Sequence, residues 1–594
     1  MTITSRVAAI RHWLNMEGYD AIIIPSSDPH NSEYTPDRWK VREWATGFTG
    51  SAGTAVITRN EGALWTDSRY FIQAEQQLQD TPFTLMREGE AGVPSMMEWL
   101  NEVLPTNAKV AFVGEMVSIQ VFEQWLENKK LDFIAVEDPF DYLWRDRPMD
   151  VSNPLRIHLI DRAGESVASK LQRIRDKFEN KNMTYLMLSD LSEIAWTLNL
   201  RGNDVPYNPL FLSYLIIFDQ GAILFVNKRK MTTEVSEYLT ENGIKVRDYQ
   251  NFKDFIAAHY DRGQYYIIAN SVNYDVVQYI ERLGVDYDIY ESPIEELRMY
   301  KNPVEQEGFR KAMLSDGVVL VKTLRWLSEN VANGNLTEVD VAEKIITLRQ
   351  QMPDFRGESF GTITGYAANG AIVHYEATAE HCATLKPQGL LLIDAGAHYQ
   401  SGTTDVSRTI PLGPLSAEEC KAYTLVLKGH IALARCKFPE GTVGLELDLA
   451  ARYAMWQEGY DFGHGTGHGV GARLCVHEGP HQIRKNVRPC TLVPFKANMT
   501  VTNEPGIYVE NQFGVRIENV LLVKEQRTTP YGKFLEFETL TLCPISTEPV
   551  IKEMMAAEEI EWLNNYNAGV RTSLTPLLHD EADVAWLNQA TRAI

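Results

Sequence analysis

Two glutamates stand where a strand should be apolar. In Met499–Val523, MTVTNEPGIYVENQFGVRIENVLLV, strand formers flank a turn at Asn511, and Glu504 and Glu518 each lie seven residues from it. Equal distance from the turn makes them candidates for cross-strand neighbours. A glutamate set among Ile, Val and Leu is rarely buried without a partner. Alone, the hairpin also reads as an edge strand with Glu518 in water. A similar pattern stands upstream in Leu390–Ile410, LLLIDAGAHYQSGTTDVSRTI: an apolar run ends on Asp394, and Gln400-Ser401-Gly402 turns the chain into a strand bearing Asp405. Alone, Asp405 also reads as a turn cap and Asp394 as the partner of an arginine such as Arg408. Two hairpins with four inward acids favour another account, because desolvated carboxylates repel and need shared protons or a cation.

Histidines supply what such a site lacks. The stretch DFGHGTGHGVG, Asp461–Gly471, is followed by VHEGPH, Val476–His481. Glycine permits positive φ and close backbone approach at an entropic cost that packing alone seldom justifies. His464, His468 and His477, spaced by four and nine residues without helix formers, read as loop residues converging on one place. His12, His158, His259, His398, His430 and His579 read as ordinary core or surface residues. Four carboxylates with one imidazole form a hard, oxygen-rich environment whose charge balances two dications.

With 594 residues the chain exceeds the size of one growing core, so several domains are expected. A faint repeat organises the first half. A helix (Arg6–Met16) leads to strand AIII, a polar stretch ending FTGSAG, strand TAVIT, a turn at Asn60-Glu61-Gly62 and strand ALW. From Ala163 the order recurs: helix Glu165–Phe178, strand TYLML, a polar stretch, strand YLIIF, a turn at Asp219-Gln220-Gly221 and strand AILFV. A third unit opens with Asn302-Pro303, a helix N-cap followed by proline, and Thr337–Asp340 reads as a capping box. Helices first and strands after suggest α+β. A net charge of −22 argues against a nucleic-acid partner, which would call for a basic face. No apolar run approaches the ~18 residues of a membrane span, and the amino terminus lacks the pattern of a signal peptide. Six cysteines in the carboxy-terminal part, without CxxC spacing, read as reduced thiols of a cytosolic protein.

The motifs IDAGAHYQSGTTDVSRT, HGTGHGVG, NEPGIY and RIEN resemble the metallopeptidase family of methionine aminopeptidase, prolidase and aminopeptidase P. FTGSAGTAVIT, WTDSRY, EIAWTLNLRGNDVPYNPLFLSY and the tail LNQATRAI extend the resemblance to the long, three-domain cytosolic members. The resemblance implies two creatinase-like N-terminal α/β domains (1–155 and 156–295), then a pita-bread metallopeptidase domain with a carboxy-terminal extension (296–594). It implies two divalent ions, with manganese favoured and zinc or cobalt able to occupy the same ligands, held by Asp394, Asp405, His468, Glu504 and Glu518. The implied reaction is hydrolysis of the N-terminal Xaa-Pro bond of peptides by a metal-bridging hydroxide. Glu504 serves as proton shuttle, His477 as donor to the scissile carbonyl, and His374 and His464 as substrate contacts, with Tyr508 and Arg516 beside them. A homodimer in the cytoplasm, with no nucleic acid and no membrane, completes the implication. The runners-up are an Xaa-Pro dipeptidase (prolidase) and a non-catalytic peptide-binding or scaffold member of the fold. The segment Glu376–Cys382 and Cys475 depart from the family pattern.

Overall fold

A computed structural model describes residues 1–178, 184–259, 266–269 and 271–594. The chain divides into two compact units, Met1–Ile160 with Glu165–Ile294, and Asp161–Gly164 with Glu295–Ile594.

The first unit contains the repeat expected from the sequence. Its helix Ile3–Glu17 starts where the Thr2 side chain accepts from Ser5 N–H and stops at Gly18, whose φ of 77° few other residues tolerate. The chain then enters Ala21–Pro25, the centre of a six-stranded sheet ordered Thr84–Arg87, Gly62–Thr66, Thr54–Thr58, Ala21–Pro25, Ala108–Val113, Leu131–Val136. The second sheet runs Ile244–Arg247, Gly221–Val226, Ser213–Phe218, Tyr185–Leu188, Tyr266–Ala269, Tyr287–Tyr290. Strand for strand, the pattern of parallel and antiparallel pairing is the same in both. Each central antiparallel hairpin closes on a tight turn, with Ile57 opposite Gly62 in one and Phe218 opposite Gly221 in the other.

The two copies also meet as symmetric equivalents. Ile119 N–H donates to Val272 O, and Tyr274 N–H donates to Val117 O. Ser118 and Asn273, opposite one another there, each cap a following helix with their own side chain. One hydrophobic cluster joins residues of both sheets, among them Ile23, Val56, Phe112, Met187, Ile216 and Phe225. Phe112 is fully buried and packs against the rings of Phe122, Trp125 and Tyr274 at centroid distances of 5.4, 5.4 and 5.7 Å.

The second unit places helices ahead of most of its strands. Pro303–Asn330 begins at a capping box in which Asn302 and Glu305 satisfy each other's backbone N–H, and Thr337 with Asp340 does the same for Glu338–Gln350. A three-stranded sheet, Ile363–Tyr366, Leu390–Ala395, Val406–Pro411, packs on the helices Pro303–Asn330 and Glu338–Gln350, and a four-stranded sheet, Lys437–Pro439, Gly532–Thr539, Asn519–Thr529, Thr500–Asn503, packs on Ala417–Ala434 and Gly444–Gln457. The hairpin Gly506–Val509 with Phe513–Arg516 turns at Asn511, where φ is 60°. Among the described residues the six cysteines are free thiols, and no helix is long and apolar enough to cross a membrane.

Truncating Phe112 to alanine removes a ring from the centre of the shared cluster. The expected cost is about 3–5 kcal/mol, the usual range for a buried aromatic, read as a fall in the urea midpoint followed by tryptophan fluorescence. A cost below about 1 kcal/mol would mean that the two sheets are not held by this cluster.

Candidate metal centre

The upstream hairpin brings its two aspartates to one face. In the ladder between Leu390–Ala395 and Val406–Pro411, Asp394 pairs with Ser407 and Ala395 with Val406. One step further sets Asp405 opposite Gly396, two residues beyond Asp394, and residues two apart in a strand share a face. Arg408, opposite Ile393, is on the other face. Its guanidinium donates to Pro544 O, Cys543 O and the Asn519 side chain, so it is not the partner of Asp394. That partner is Arg516, whose Nη2 stands 2.6 Å from Asp394 Oδ2.

The downstream glutamates occupy a gap between two ladders. Asn503 pairs with Asn519, and Gly506 pairs with Arg516. Both pairs belong to one register, and that register puts Glu504 opposite Glu518. Neither glutamate spends its backbone N–H on the other strand. Glu518 N–H donates to Ser407 O at 3.0 Å, and Glu504 N–H donates to Thr466 O at 2.8 Å. One glutamate is thereby stitched to the aspartate hairpin and the other to the histidine segment.

His468 lies on a short strand rather than a loop. Gly467–Gly469 pairs with Glu478–Ile483, with a bulge between His468 and Gly469. Gly467 is there for close approach, since an added Cβ would stand 2.0 Å from Thr502 O, and its φ is not positive. The His468 ring is oriented by its Nδ1, 2.9 Å from the Gly469 carbonyl. A carbonyl only accepts, so Nδ1 carries the proton and Nε2 presents a lone pair. That Nε2 is 3.5 Å from both Asp405 Oδ2 and Glu504 Oε1. Ligand atoms of Asp405, His468 and Glu518 all lie within 4.8 Å of one another.

The other predicted residues surround this group. The His477 ring meets that of His468 at a centroid distance of 4.4 Å. His464 Nε2 lies 2.8 Å from Tyr508 Oη, and its Nδ1 lies 3.9 Å from Glu504 Oε2. Tyr508 also accepts from Arg516 Nη1 at 2.8 Å. The segment bearing His374 borders the same arginine, with Val373 O 3.5 Å from Arg516 Nη2.

Several supporting groups carry no signal in the sequence. Ser407 receives Arg516 Nε at 2.9 Å and donates to Glu518 Oε2 at 2.7 Å. Thr502 accepts from His468 N–H and donates to Glu504 Oε1. Arg452, wholly buried, grips Asp448, Asp461 and the carbonyls of Phe462 and His464, while Thr466 donates to Asp448.

Electrostatics show what the site is suited to hold. Burial, then the charges of Asp394 and Glu504, push the Asp405 carboxyl well above its ordinary value. Burial and Asp405 do the same to Glu518. Burial also pushes Glu504 up to about 7, although Arg516 pulls it down. His468 is held well below its ordinary value by burial and by His477. Asp394 Oδ1 is buried without a hydrogen-bond partner. A neutral imidazole, an orphaned carboxylate oxygen and a crowd of acids that cannot all ionise unaided fit a site built for cations.

Stability should follow from this. A carboxyl whose pKa is raised by folding stabilises the fold below its unfolded value, about 4.3 for glutamate, and loses that contribution as pH rises through its folded value. For Glu504 the loss runs up to about pH 7. Chelator-treated protein is therefore expected to melt progressively lower than metal-loaded protein between pH 5 and 7.5, the gap widening with pH. A gap that stays constant across that window would contradict the crowding of unbalanced carboxylates.

Residues 307–525 match the metallopeptidase family M24, residues 6–143 and 146–305 each match the creatinase/prolidase N-terminal domain, and residues 533–594 match the C-terminal region of peptidase M24. The chain is 39% identical over 634 residues to aminopeptidase P2 of Arabidopsis thaliana, covering 100% of this chain and 89% of that one. A crystal structure of X-prolyl aminopeptidase from Caenorhabditis elegans, described as a cytosolic enzyme with a dinuclear active site, superposes with a TM-score of 0.94 at 31% identity over 100% of both chains. The prolidase of Pyrococcus horikoshii superposes with a TM-score of 0.51 at 23% identity, over 63% of this chain and 99% of that one, which is a likeness of fold. The acid-lined hairpins and the histidine strand are thus set in a chain that belongs to the metallopeptidase family M24, with two creatinase-type N-terminal α/β domains ahead of a pita-bread domain.

Proposed function

We propose that the chain is an Xaa-Pro aminopeptidase, which hydrolyses the bond between an N-terminal residue and a following proline in peptides. The observation that carries this reading is the joining of two hairpins, so that Asp394, Asp405, Glu504 and Glu518 meet His468 around an unpartnered carboxylate oxygen. Those five residues would hold two divalent ions, and their predominance of carboxylate oxygen favours manganese over zinc or cobalt. When bound, such a pair supplies a nucleophile from water near neutral pH and polarises the scissile carbonyl.

The protein groups then act on the peptide. Glu504, beside His468 Nε2, is placed to take a proton from water and return it to the leaving proline nitrogen. His477, against the His468 ring, donates to the scissile carbonyl oxygen as charge develops on it. His464 and Tyr508 line the proline position, and His374 hydrogen-bonds the substrate. Arg516 aims Asp394 by binding one of its oxygens and leaving the other inward.

The same reading takes residues 1–155, 156–295 and 296–594 as three domains, a homodimer as the working form and the cytosol as its place. Likeness to aminopeptidase P2 over the full chain, at 39% identity, favours this reading over a prolidase. The deciding experiment offers metal-loaded protein Arg-Pro-Pro and Arg-Pro, with and without a chelator, and follows free arginine. Chelator-sensitive cleavage of the tripeptide is expected. Cleavage of the dipeptide alone would assign a prolidase, and no cleavage with metal bound would leave a peptide-binding scaffold. His468→Ala is expected to lower metal content and abolish turnover, and full metal occupancy with normal turnover would sink the ligand assignment.

A further inference from the structure

Glu338, the first residue of helix Glu338–Gln350, is fully buried, and the groups around its carboxylate are hydrogen-bond donors. Oε1 accepts from Tyr366 N–H at 2.6 Å and from Asn369 Nδ2 at 3.0 Å. Oε2 accepts from Tyr375 Oη at 2.8 Å, Ala383 N–H at 2.6 Å and Asn369 Nδ2 at 3.1 Å. The main chain of the same residue is engaged too: its N–H donates to Ala383 O, and its carbonyl accepts from Thr364 Oγ1. One residue therefore ties down the start, middle and end of the segment from Tyr366 to Ala383.

That segment carries His374 between its pinned points. Its other side rests on the hairpin Gly506–Val509 with Phe513–Arg516. A Cβ added at Gly514 would stand 1.7 Å from Gly370 O, so backbone meets backbone there. Arg516 binds Val373 O with the same Nη2 that binds Asp394. The peptide unit entering His374 thus shares an anchor with a predicted metal ligand, and the next residue, Tyr375, is held by Glu338.

We propose that Glu338 is a positioning residue, which acts through Tyr375 and Asn369 to hold His374 at the substrate beside Asp394. The inference rests on the reading of His374 as a substrate contact. A carboxylate is required because it only accepts. Glutamine would turn an NH₂ group towards N–H and O–H donors and leave at least one of them unpaired in a buried place.

The test compares Glu338→Gln, Tyr375→Phe, His374→Ala and the two double variants with His374→Ala, all as metal-loaded full chains assayed on Arg-Pro-Pro. Glu338→Gln is expected to keep its metal content and lose about 100-fold in kcat/KM, the scale of a small misplacement of a catalytic contact. Tyr375→Phe, which removes a single hydrogen bond to the carboxylate, is expected to lose about tenfold. In the His374→Ala background either change should cost under about twofold, because residues that act through one another are not additive. Full kcat/KM in metal-loaded Glu338→Gln, or an undiminished loss in the His374→Ala background, would overturn the proposal. If Glu338→Gln does not fold, Tyr375→Phe with and without His374→Ala decides by the same criteria. Wild-type activity in His374→Ala would instead overturn the reading of His374.

Discussion

Mutual repulsion among four carboxylates in a dry space is the constraint on which the catalytic unit is built. Left to themselves such groups would take up protons or separate. The scaffold prevents separation by binding one oxygen of each of three of them: Asp394 to Arg516, Glu518 to Ser407, Glu504 to Thr502. Each is held by one oxygen, and the proposed ligand role would use the other. Arg516 supplies the only one of these three donors that carries a charge, and one positive charge does not balance four negative ones. That deficit is one that a pair of divalent ions would make good.

The backbone solves the companion problem of bringing distant segments together. Two continuous strands with paired glutamates would close a ladder and seal the space between them. Instead the register runs on while the two N–H groups at Glu504 and Glu518 leave for Thr466 and Ser407. Backbone hydrogen bonds that would have held a hairpin shut are used to fasten it to its neighbours. No buried donor is orphaned by the change, which is why the arrangement costs little.

Much of this was legible in the sequence because strand parity is local. Asp394 at the end of an apolar run, Asp405 after a turn, and two glutamates equidistant from Asn511 all follow from period-two patterning. So does the duplicated plan of the first unit, in which helix, strand and turn recur in the same order. What escaped was non-local. Whether Asp394 meets Arg408 or Arg516 depends on which face each arginine takes, and the bridge from Asp394 to Arg516 spans 122 residues. Ser407, Arg452 and Glu338 are unremarkable in sequence, since a serine in a strand, an arginine on a helix and a glutamate at a helix start are all common. Their roles come from burial, which composition cannot show.

The glycines give the last step. Glycine-rich sequence around two histidines suggests a flexible loop, and flexibility would be a poor support for the proposed ligand role, which needs a position held to a fraction of an ångström. The structure uses glycine for the opposite end. Gly467 has no side chain because Thr502 O occupies that place, and its backbone conformation is one that other residues adopt. Close approach lets the strand bearing His468 lie against the strand leading to Glu504, so that the Thr502 hydroxyl touches both His468 N–H and the Glu504 carboxylate. Arg452 and Asp448 then fix the residues just before. The motif is therefore rigid because it is thin: removing side chains brings backbones near enough for one threonine to set the spacing between an imidazole and a carboxylate.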